Sequence, residues 1–140
     1  GWGRSEPDEQ CRRSIYIHVK RSLIAPVLSE FDFCDTDASC AVRFATTQPA
    51  QALSLLNGRF AHEQAAALAA RLRREAPGDT AAQVRQALRL ALGRDAGAPS
   101  VEQGQRLMAS LGQRHGANAD EALGYFCLMV LNLNEFVYLD

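Results

Sequence analysis

The stretch NADEALGYFCLMVLNL, residues 118–133, has the most apolar helical pattern in the chain. Either Asn118 or Asp120 suits the N-cap of a helix here, because both side chains accept hydrogen bonds from first-turn amides. Asn132 and Asn134, at its far end, suit the left-handed conformation that commonly ends a helix. The apolar residues that share one face are Ala122, Tyr125, Phe126, Met129, Val130 and Leu133. We therefore predict that this helix lies at the centre of the fold.

Three amphipathic helices precede this segment. Turn and cap residues separate them, namely Pro77, Asp79, Gly93, Pro99 and Gly116. The positions predicted to face inward are Ala61, Ala65, Leu68, Ala69 and Leu72 in the first helix, Val84, Ala87, Leu88 and Ala91 in the second, and Val101, Gly104, Met108 and Leu111 in the third. Short links between these helices favour antiparallel neighbours in a bundle.

The first sixty residues are less regular. Residues 14–19, SIYIHV, have enough β-branched side chains for a strand, but they lack a turn signal and a pairing partner, and we favour a helix. Residues 24–47 have the composition of a long ordered loop. Pro49 then suits the first turn of a helix that ends at Asn57 and Gly58.

These patterns predict an all-α fold, a bundle of about five to six helices with a long ordered N-terminal loop region. Residues 1–140 are predicted to form a single domain, with a motif-rich segment over 1–60 and antiparallel helices over 61–140. An apolar content of 47% and a charged content of 22% are typical of a globular protein. The net charge of -1 creates no overall field that attracts nucleic acid, and we expect no nucleic-acid partner because the chain is neither basic nor aromatic-rich on one face. No apolar run approaches the ~20 residues that span a bilayer.

No complete catalytic or metal-binding motif is present in the sequence. His62 and Glu63 begin an H-E-x-x-H pattern, but position 66 is alanine, so the second metal ligand is missing. The C-x-x-C-H signature of covalent haem attachment is absent as well, and we expect no cofactor in this chain. Cys34 and Cys40 either form a short disulfide or stay reduced, whereas Cys127 suits a small buried apolar side chain.

Polar residues in the N-terminal segment form the best candidates for special contacts. Arg13, Lys20 and Arg21 come close together on a helix and would either clamp an anion or pair with nearby carboxylates. Thr47 is placed to cap the helix that starts at Pro49. Structural and binding roles therefore both remain open for these side chains.

At these motifs the chain resembles the planctomycete-type cytochrome-associated C-terminal domain, known as domain of unknown function 1553. The matching segments follow the family's order along nearly the whole chain: RRSIYIHVKRS (12–22), FDF (31–33), TTQPAQALSLLNG (46–58), LRLALGR (88–94) and LNLNEFVYLD (131–140). Cys34 departs from the family pattern, because the family frequently has a proline at this position, after the Phe31 and Asp32 pair.

The resemblance implies that the chain is the C-terminal part of a larger multidomain bacterial protein. It places that protein in the periplasm or at the cell surface, and it implies that haem is carried by a separate cytochrome c domain of the parent. It also suggests a connection with the breakdown of complex, sometimes sulfated, polysaccharides. No activity is established for the family, so the resemblance implies no catalytic residue.

Two functional hypotheses follow. In the favoured one, the chain is a non-catalytic module whose motif residues hold the N-terminal loop on the bundle and dock neighbouring domains. It predicts burial in internal hydrogen bonds for Arg12, Arg13, Arg43 and Asn132. In the alternative, the chain belongs to an enzyme or binding site for acidic polysaccharide, with Asp32 or Glu135 as acid or base. The candidate residues are Arg12, Arg13, Tyr16, Lys20, Arg21, Asp32, Arg43, Thr46, Thr47, Gln51, Asn57, Asn132, Asn134 and Glu135.

Overall fold

In the computed structural model of this protein, the elements of secondary structure are helices. The structure describes residues 5–6, 9, 12–16, 18–20, 24–34, 36–37, 39, 42 and 49–138. No strand element occurs among these residues, so the predicted all-α class is confirmed. The chain divides into two units, residues 1–48 and 49–140, and the single-domain organisation stays a prediction.

The first unit contains two short helical segments in its described part. A 3-10 turn covers Ser14–Tyr16, and helix α1 covers Pro26–Glu30. The helix predicted over residues 14–19 is wrong beyond that single turn, because the described residues that follow it are not helical. The loop predicted over 24–47 is interrupted by α1, since proline at a first helical position already has the required φ angle.

Six helices form the described part of the second unit. In chain order they are α2 Pro49–Asn57, α3 Arg59–Glu75, α4 Thr80–Leu92, α5 Ala98–His115, α6 Ala119–Val130 and α7 Asn134–Val137. The links from α3 to α4, α4 to α5 and α5 to α6 have four, five and three residues. Helices joined by such short links pack side by side as neighbours. The helices predicted from Pro49 onward are confirmed, although α5 begins at Ala98, just before the predicted start.

The helix ends use the cap residues that the sequence indicates. The Asp79 side chain accepts a hydrogen bond from the Ala82 amide at 2.9 Å and so caps α4. Asn118, and not Asp120, is the N-cap of α6. It forms a reciprocal capping box with Glu121, in which both hydrogen bonds are 2.9 Å long. These local bonds satisfy first-turn amides that would otherwise lack partners inside the helix.

A sharp turn separates α2 from α3. Gly58 is the N-cap of α3, and its amide donates to the carbonyl oxygen of Ser54 at 2.8 Å. A Cβ atom at this position would collide with that same carbonyl oxygen. The predicted helix end at Asn57 is therefore confirmed, and the missing side chain of Gly58 allows the next helix to begin without a spacer.

The core of the second unit is built around α6. This helix packs against α3, α4 and α5, which confirms its predicted central position. The buried apolar residues are Ala65, Ala69, Leu72, Val84, Ala87, Leu88, Val101, Met108, Ala122, Leu123, Phe126, Cys127, Leu128 and Val130. Cys127 is among them, as predicted. Small side chains on α3 and α4 let these helices approach the larger residues of α6 closely.

The face assigned to α6 differs in part from the prediction. Tyr125 is 54% exposed instead of buried, while Leu123 and Leu128 are buried. Leu133 lies beyond the end of the helix, at the N-cap of α7. A helix with three packed neighbours buries more than one stripe, so the face left open is decided by where those neighbours lie.

At Gly104 on α5, the neighbouring helices leave no room for a side chain. A Cβ atom there would lie 2.6 Å from Cγ1 of Val84 and 2.9 Å from Cε2 of Phe126. Both neighbouring side chains are fully buried and are held in place by the surrounding core. The glycine therefore sets the distance between α5 and the α4–α6 pair.

Gly104→Ala should destabilise the protein, because the added methyl group overpacks a rigid part of the core. We expect the free energy of unfolding to fall by about 1 to 3 kcal/mol. Urea denaturation followed by circular dichroism measures this change. Gly124→Ala is the matched control: its Cβ atom meets nothing within 4 Å, so the same substitution should stabilise α6 by about 0.5 to 1 kcal/mol. Equal effects at both sites would contradict this packing.

Candidate functional site

The predicted N-terminal cations lie on the surface of the first unit. Arg12, Arg13 and Lys20 are exposed, and Tyr16 beside them is 72% exposed. The prediction that Arg12 and Arg13 are buried in internal hydrogen bonds is therefore wrong. The 3-10 turn that carries this segment has no buried residue, so it offers no interior in which a guanidinium could be enclosed. Arg21, Arg43, Thr46 and Thr47 lie outside the described residues.

Asp32 of the FDF motif has a conformational role at the end of α1. It has a left-handed backbone with φ of 56°, which aspartate tolerates better than most residues. The Phe33 amide then donates to the Leu28 carbonyl at 2.9 Å and closes the helix end. Asp32 is half-buried and makes a further interaction besides these backbone contacts.

Asn132 joins the end of α6 to α2. Its side-chain amide donates to the Leu128 carbonyl at 2.8 Å and to the Leu55 carbonyl at 3.4 Å. The first bond satisfies a carbonyl of the last turn of α6, and the second connects that turn to a helix 77 residues earlier. Asn132 thus makes internal hydrogen bonds as predicted, unlike the exposed arginines, but it is half-buried instead of largely buried.

The left-handed conformation predicted for Asn132 and Asn134 is wrong, because Asp32 is the only described residue other than glycine with a positive φ. Leu131 ends α6 in a right-handed conformation instead. The chain turns directly into α7, and Asn134 is the exposed first residue of that helix. The side-chain hydrogen bond from Asn132 satisfies the Leu128 carbonyl at the end of α6, where a left-handed residue was predicted to end the helix.

The other candidates are distributed around the same unit. Glu135 on α7 is exposed and pairs with Arg94 at 2.7 Å, which ties α7 to the end of α4. Asn57 is the exposed last residue of α2, and Gln51 in the same helix is buried. An ion pair as exposed as that of Glu135 contributes little stability, so its main effect is to orient α7.

An open groove lies where α3, α4 and the α6–α7 junction meet, with a volume of about 390 Å³. Its apolar lining includes Leu68, Leu90, Leu131 and Phe136, and Arg71 borders it. Phe136 is 44% exposed, and Leu90 is exposed as well. Sequence reasoning missed this groove: the pattern of α4 places Leu90 outside the inward-facing stripe, but it does not show that α3 and α7 form a concave surface around it.

Cys127 is the most strongly perturbed ionisable group of the described residues. Burial raises the pKa of its thiol to about 12, and the positive charge of Arg73 acts in the opposite direction.

Cys34 is a free cysteine, while its proposed disulfide partner Cys40 lies outside the described residues. The described residues contain no group of three or more His, Cys, Asp or Glu arranged to hold a metal ion.

The fold and these surfaces define a helical module built around a central α6. The family model "Protein of unknown function (DUF1553)" matches residues 1–108, so the chain belongs to this family. No curated protein matches the chain, and no solved structure does. Across the described residues, no helix is both long and apolar enough to span a membrane.

Asn132→Ala should loosen the connection between α6 and α2. Two backbone carbonyls lose their side-chain donor, and we expect the free energy of unfolding to fall by about 1 to 2 kcal/mol. Urea denaturation measures the loss. Asn134→Ala is the control, because that residue is exposed at the start of α7 and should change stability by less than about 0.5 kcal/mol. A loss as large for Asn134 as for Asn132 would contradict the assigned bonds.

The buried Cys127 thiol should make the protein less stable at high pH. Its pKa is about 9.0 when unperturbed and about 12 in the folded chain. Between these values only the unfolded state releases the proton, so the free energy of unfolding falls by about 1.4 kcal/mol per pH unit from this group. Cys127→Ala removes this dependence. Its stability deficit relative to the natural chain should shrink from pH 8 to pH 11, whereas a constant deficit would contradict the burial.

Proposed function

We propose that this chain is a non-catalytic helical module that docks a neighbouring domain within a large exported bacterial protein. The observation that carries the proposal is the apolar groove at the α6–α7 junction. Phe136 and Leu90 remain exposed there although the unit has a complete core of its own. Exposed aromatic and aliphatic side chains around a concave surface are typical of contacts with other protein surfaces.

The architecture of the groove suits docking better than small-molecule chemistry. It is broad and apolar, and the ion pairs near it are already satisfied: Arg71 with Glu75 at 2.7 Å and Arg94 with Glu135 at 2.7 Å. An apolar helix or loop of the preceding domain would cover Phe136 and leave the paired charges at a polar rim. The Asn132 bonds and the Arg94–Glu135 pair support this role, since both hold the α6–α7 junction in position.

The context of the parent protein is part of the same proposal. The family resemblance supports a location in the periplasm or at the cell surface. It also supports a cytochrome c domain elsewhere in the parent as the carrier of haem; this chain itself has no C-x-x-C-H motif. The module would then bind no cofactor itself, and its contribution would be to hold the other domains together.

A second candidate function is the binding of acidic or sulfated polysaccharide by the first unit. The observation in its favour is the exposure of Arg12, Arg13 and Lys20, which lie within four residues of the exposed Tyr16 in the sequence. Guanidinium groups pair well with sulfate and carboxylate, and an exposed aromatic ring can stack on a sugar. Asp32 and Glu135 would be the acid or base if this binding accompanied catalysis.

Hydrogen exchange in the intact parent protein tests the docking proposal. We expect the amides of residues 133–138 to exchange on the order of tenfold more slowly in the parent than in this chain alone, because docking covers the groove. Phe136→Asp in the parent should abolish the difference. Phe60→Asp is the control, since Phe60 is 62% exposed and lies outside the groove.

Equal exchange rates of these amides in the parent and in the isolated chain would overturn the docking proposal.

A thermal-shift titration of the parent with chondroitin sulfate tests the second candidate function, polysaccharide binding. Stabilisation that is lost in an Arg12→Ala, Arg13→Ala variant would favour polysaccharide binding instead. Mass spectrometry of the parent for covalently attached haem tests the cytochrome context separately.

A further inference from the structure

A second cleft, separate from the docking groove, lies between α3 and α6. It has a volume of about 210 Å³ and is lined by His62, Ala65, Ala66, Glu121, Gly124, Tyr125 and Leu128. We propose that this cleft binds a guanidinium group, as presented by an arginine side chain. The lining residues that favour this chemistry are His62, Glu121, Gly124 and Tyr125, and none of them lines the proposed docking groove.

Gly124 lines the cleft and has no side chain to fill it. This glycine lies in the middle of α6, where it weakens the helix relative to alanine. Packing does not explain it, because a Cβ atom there would meet nothing within 4 Å. Gly104 differs, since its Cβ atom would strike Val84 and Phe126. The space over Gly124 is open from outside, and a flat group can approach the helix backbone there.

Tyr125 supplies an aromatic surface next to this glycine. It is 54% exposed, although it lies on the helix that is otherwise the most buried in the unit. The exposed face of a tyrosine ring attracts cations through its quadrupole. It also stacks favourably on a planar guanidinium, which is more weakly hydrated than an ammonium group.

His62 contributes a hydrogen-bond acceptor. Its Nε2 atom lies 2.9 Å from the carbonyl oxygen of Leu56. A carbonyl can only accept, so Nε2 carries the hydrogen and donates it. In the neutral ring Nδ1 is then left as an acceptor. The bond to Leu56 thus fixes both the tautomer and the orientation of the imidazole at the edge of the cleft.

Glu121 contributes the negative charge. One of its oxygens, Oε2, accepts from the Asn118 amide in the capping box of α6. This bond holds the carboxylate in place and leaves further lone pairs for another donor. The cleft therefore presents a fixed carboxylate, a fixed imidazole acceptor and an aromatic face above a floor of glycine and alanine.

A guanidinium has the chemistry to match each of these groups. It is planar, permanently charged and has five N–H donors in a fork that suits carboxylate oxygens. An anion would be repelled by Glu121, and a purely apolar group would leave two acceptors without donors. A compact ammonium group could pair with the Glu121 carboxylate, but it is not planar and so could not lie flat over Gly124 against the Tyr125 ring.

Titration of the full chain with acetyl-arginine amide, followed by amide NMR shifts of residues 121–128, tests the proposal. Acetyl-citrulline amide is the matched probe, because a neutral urea replaces the guanidinium at nearly the same shape. We expect shifts centred on Gly124 and Tyr125 and an affinity about tenfold weaker for citrulline. The free amine agmatine distinguishes a small metabolite from a peptide side chain: preference for acetyl-arginine amide indicates a peptide source.

Three variants examine the separate parts of the site. Tyr125→Leu should weaken arginine binding about threefold to tenfold, while Tyr138→Leu, at a tyrosine outside the cleft, should leave it unchanged. Glu121→Gln keeps the capping box but should remove most of the preference for arginine over citrulline. Gly124→Ala should raise the urea midpoint of unfolding and yet weaken arginine binding, a combination that no purely structural role for this glycine predicts.

Two outcomes would overturn the proposal. One is the absence of shifts in residues 121–128 at any arginine concentration that leaves the chain folded. The other is arginine binding that Gly124→Ala, Glu121→Gln and Tyr125→Leu all leave unchanged, since the binding would then occur elsewhere. Because these measurements use the chain alone, their result is independent of docking within the parent.

Discussion

The contact between Gly104 on α5 and the ring of Phe126 on α6 is the packing constraint on which the second unit depends. Phe126 is 1% exposed and lies where α5 and α4 approach α6 together. Only a residue without a side chain lets the helix backbone come this close to the ring. Both surface clefts lie on other sides of the unit, one between α3 and α6 and the other where α3, α4 and the α6–α7 junction meet.

Much of the second unit could be predicted because its helix ends are determined locally. Asp79 and Asn118 cap α4 and α6 through bonds to amides within three residues. Such bonds depend on the neighbouring sequence alone. The central position of α6 was also predictable, since a helix with that many apolar residues needs covering on several sides.

Other features depended on contacts that no local pattern contains. The exposure of Tyr125 follows from where α3 and α5 leave α6 uncovered, and the spacing of apolar residues does not report this. Arg12 and Arg13 directly precede the turn Ser14–Tyr16, which has no buried residue, and the sequence alone does not show this exposure. Asn132 was correctly expected to make internal bonds, but its distant partner, the Leu55 carbonyl, became visible only in the structure.

The match to the DUF1553 family assigns the chain to a family, but it does not identify a reaction. The groups that would ordinarily suggest a reaction have structural partners here: His62 bonds to Leu56, Glu135 pairs with Arg94, and Cys127 is a buried neutral thiol. The second unit combines a rigid interior with two different surfaces, one apolar at the α6–α7 junction and one acceptor-rich beside Gly124. The two proposals assign a neighbouring domain to the apolar surface and a guanidinium group to the surface beside Gly124.

Native-state hydrogen exchange of α6 tests the central claim that the second unit is organised around this helix. The amides of residues 123–130 should exchange only through global unfolding, with an opening free energy equal to the value from urea denaturation. The contradicting result would be exchange of these amides through a smaller opening while α3 and α4 stay protected.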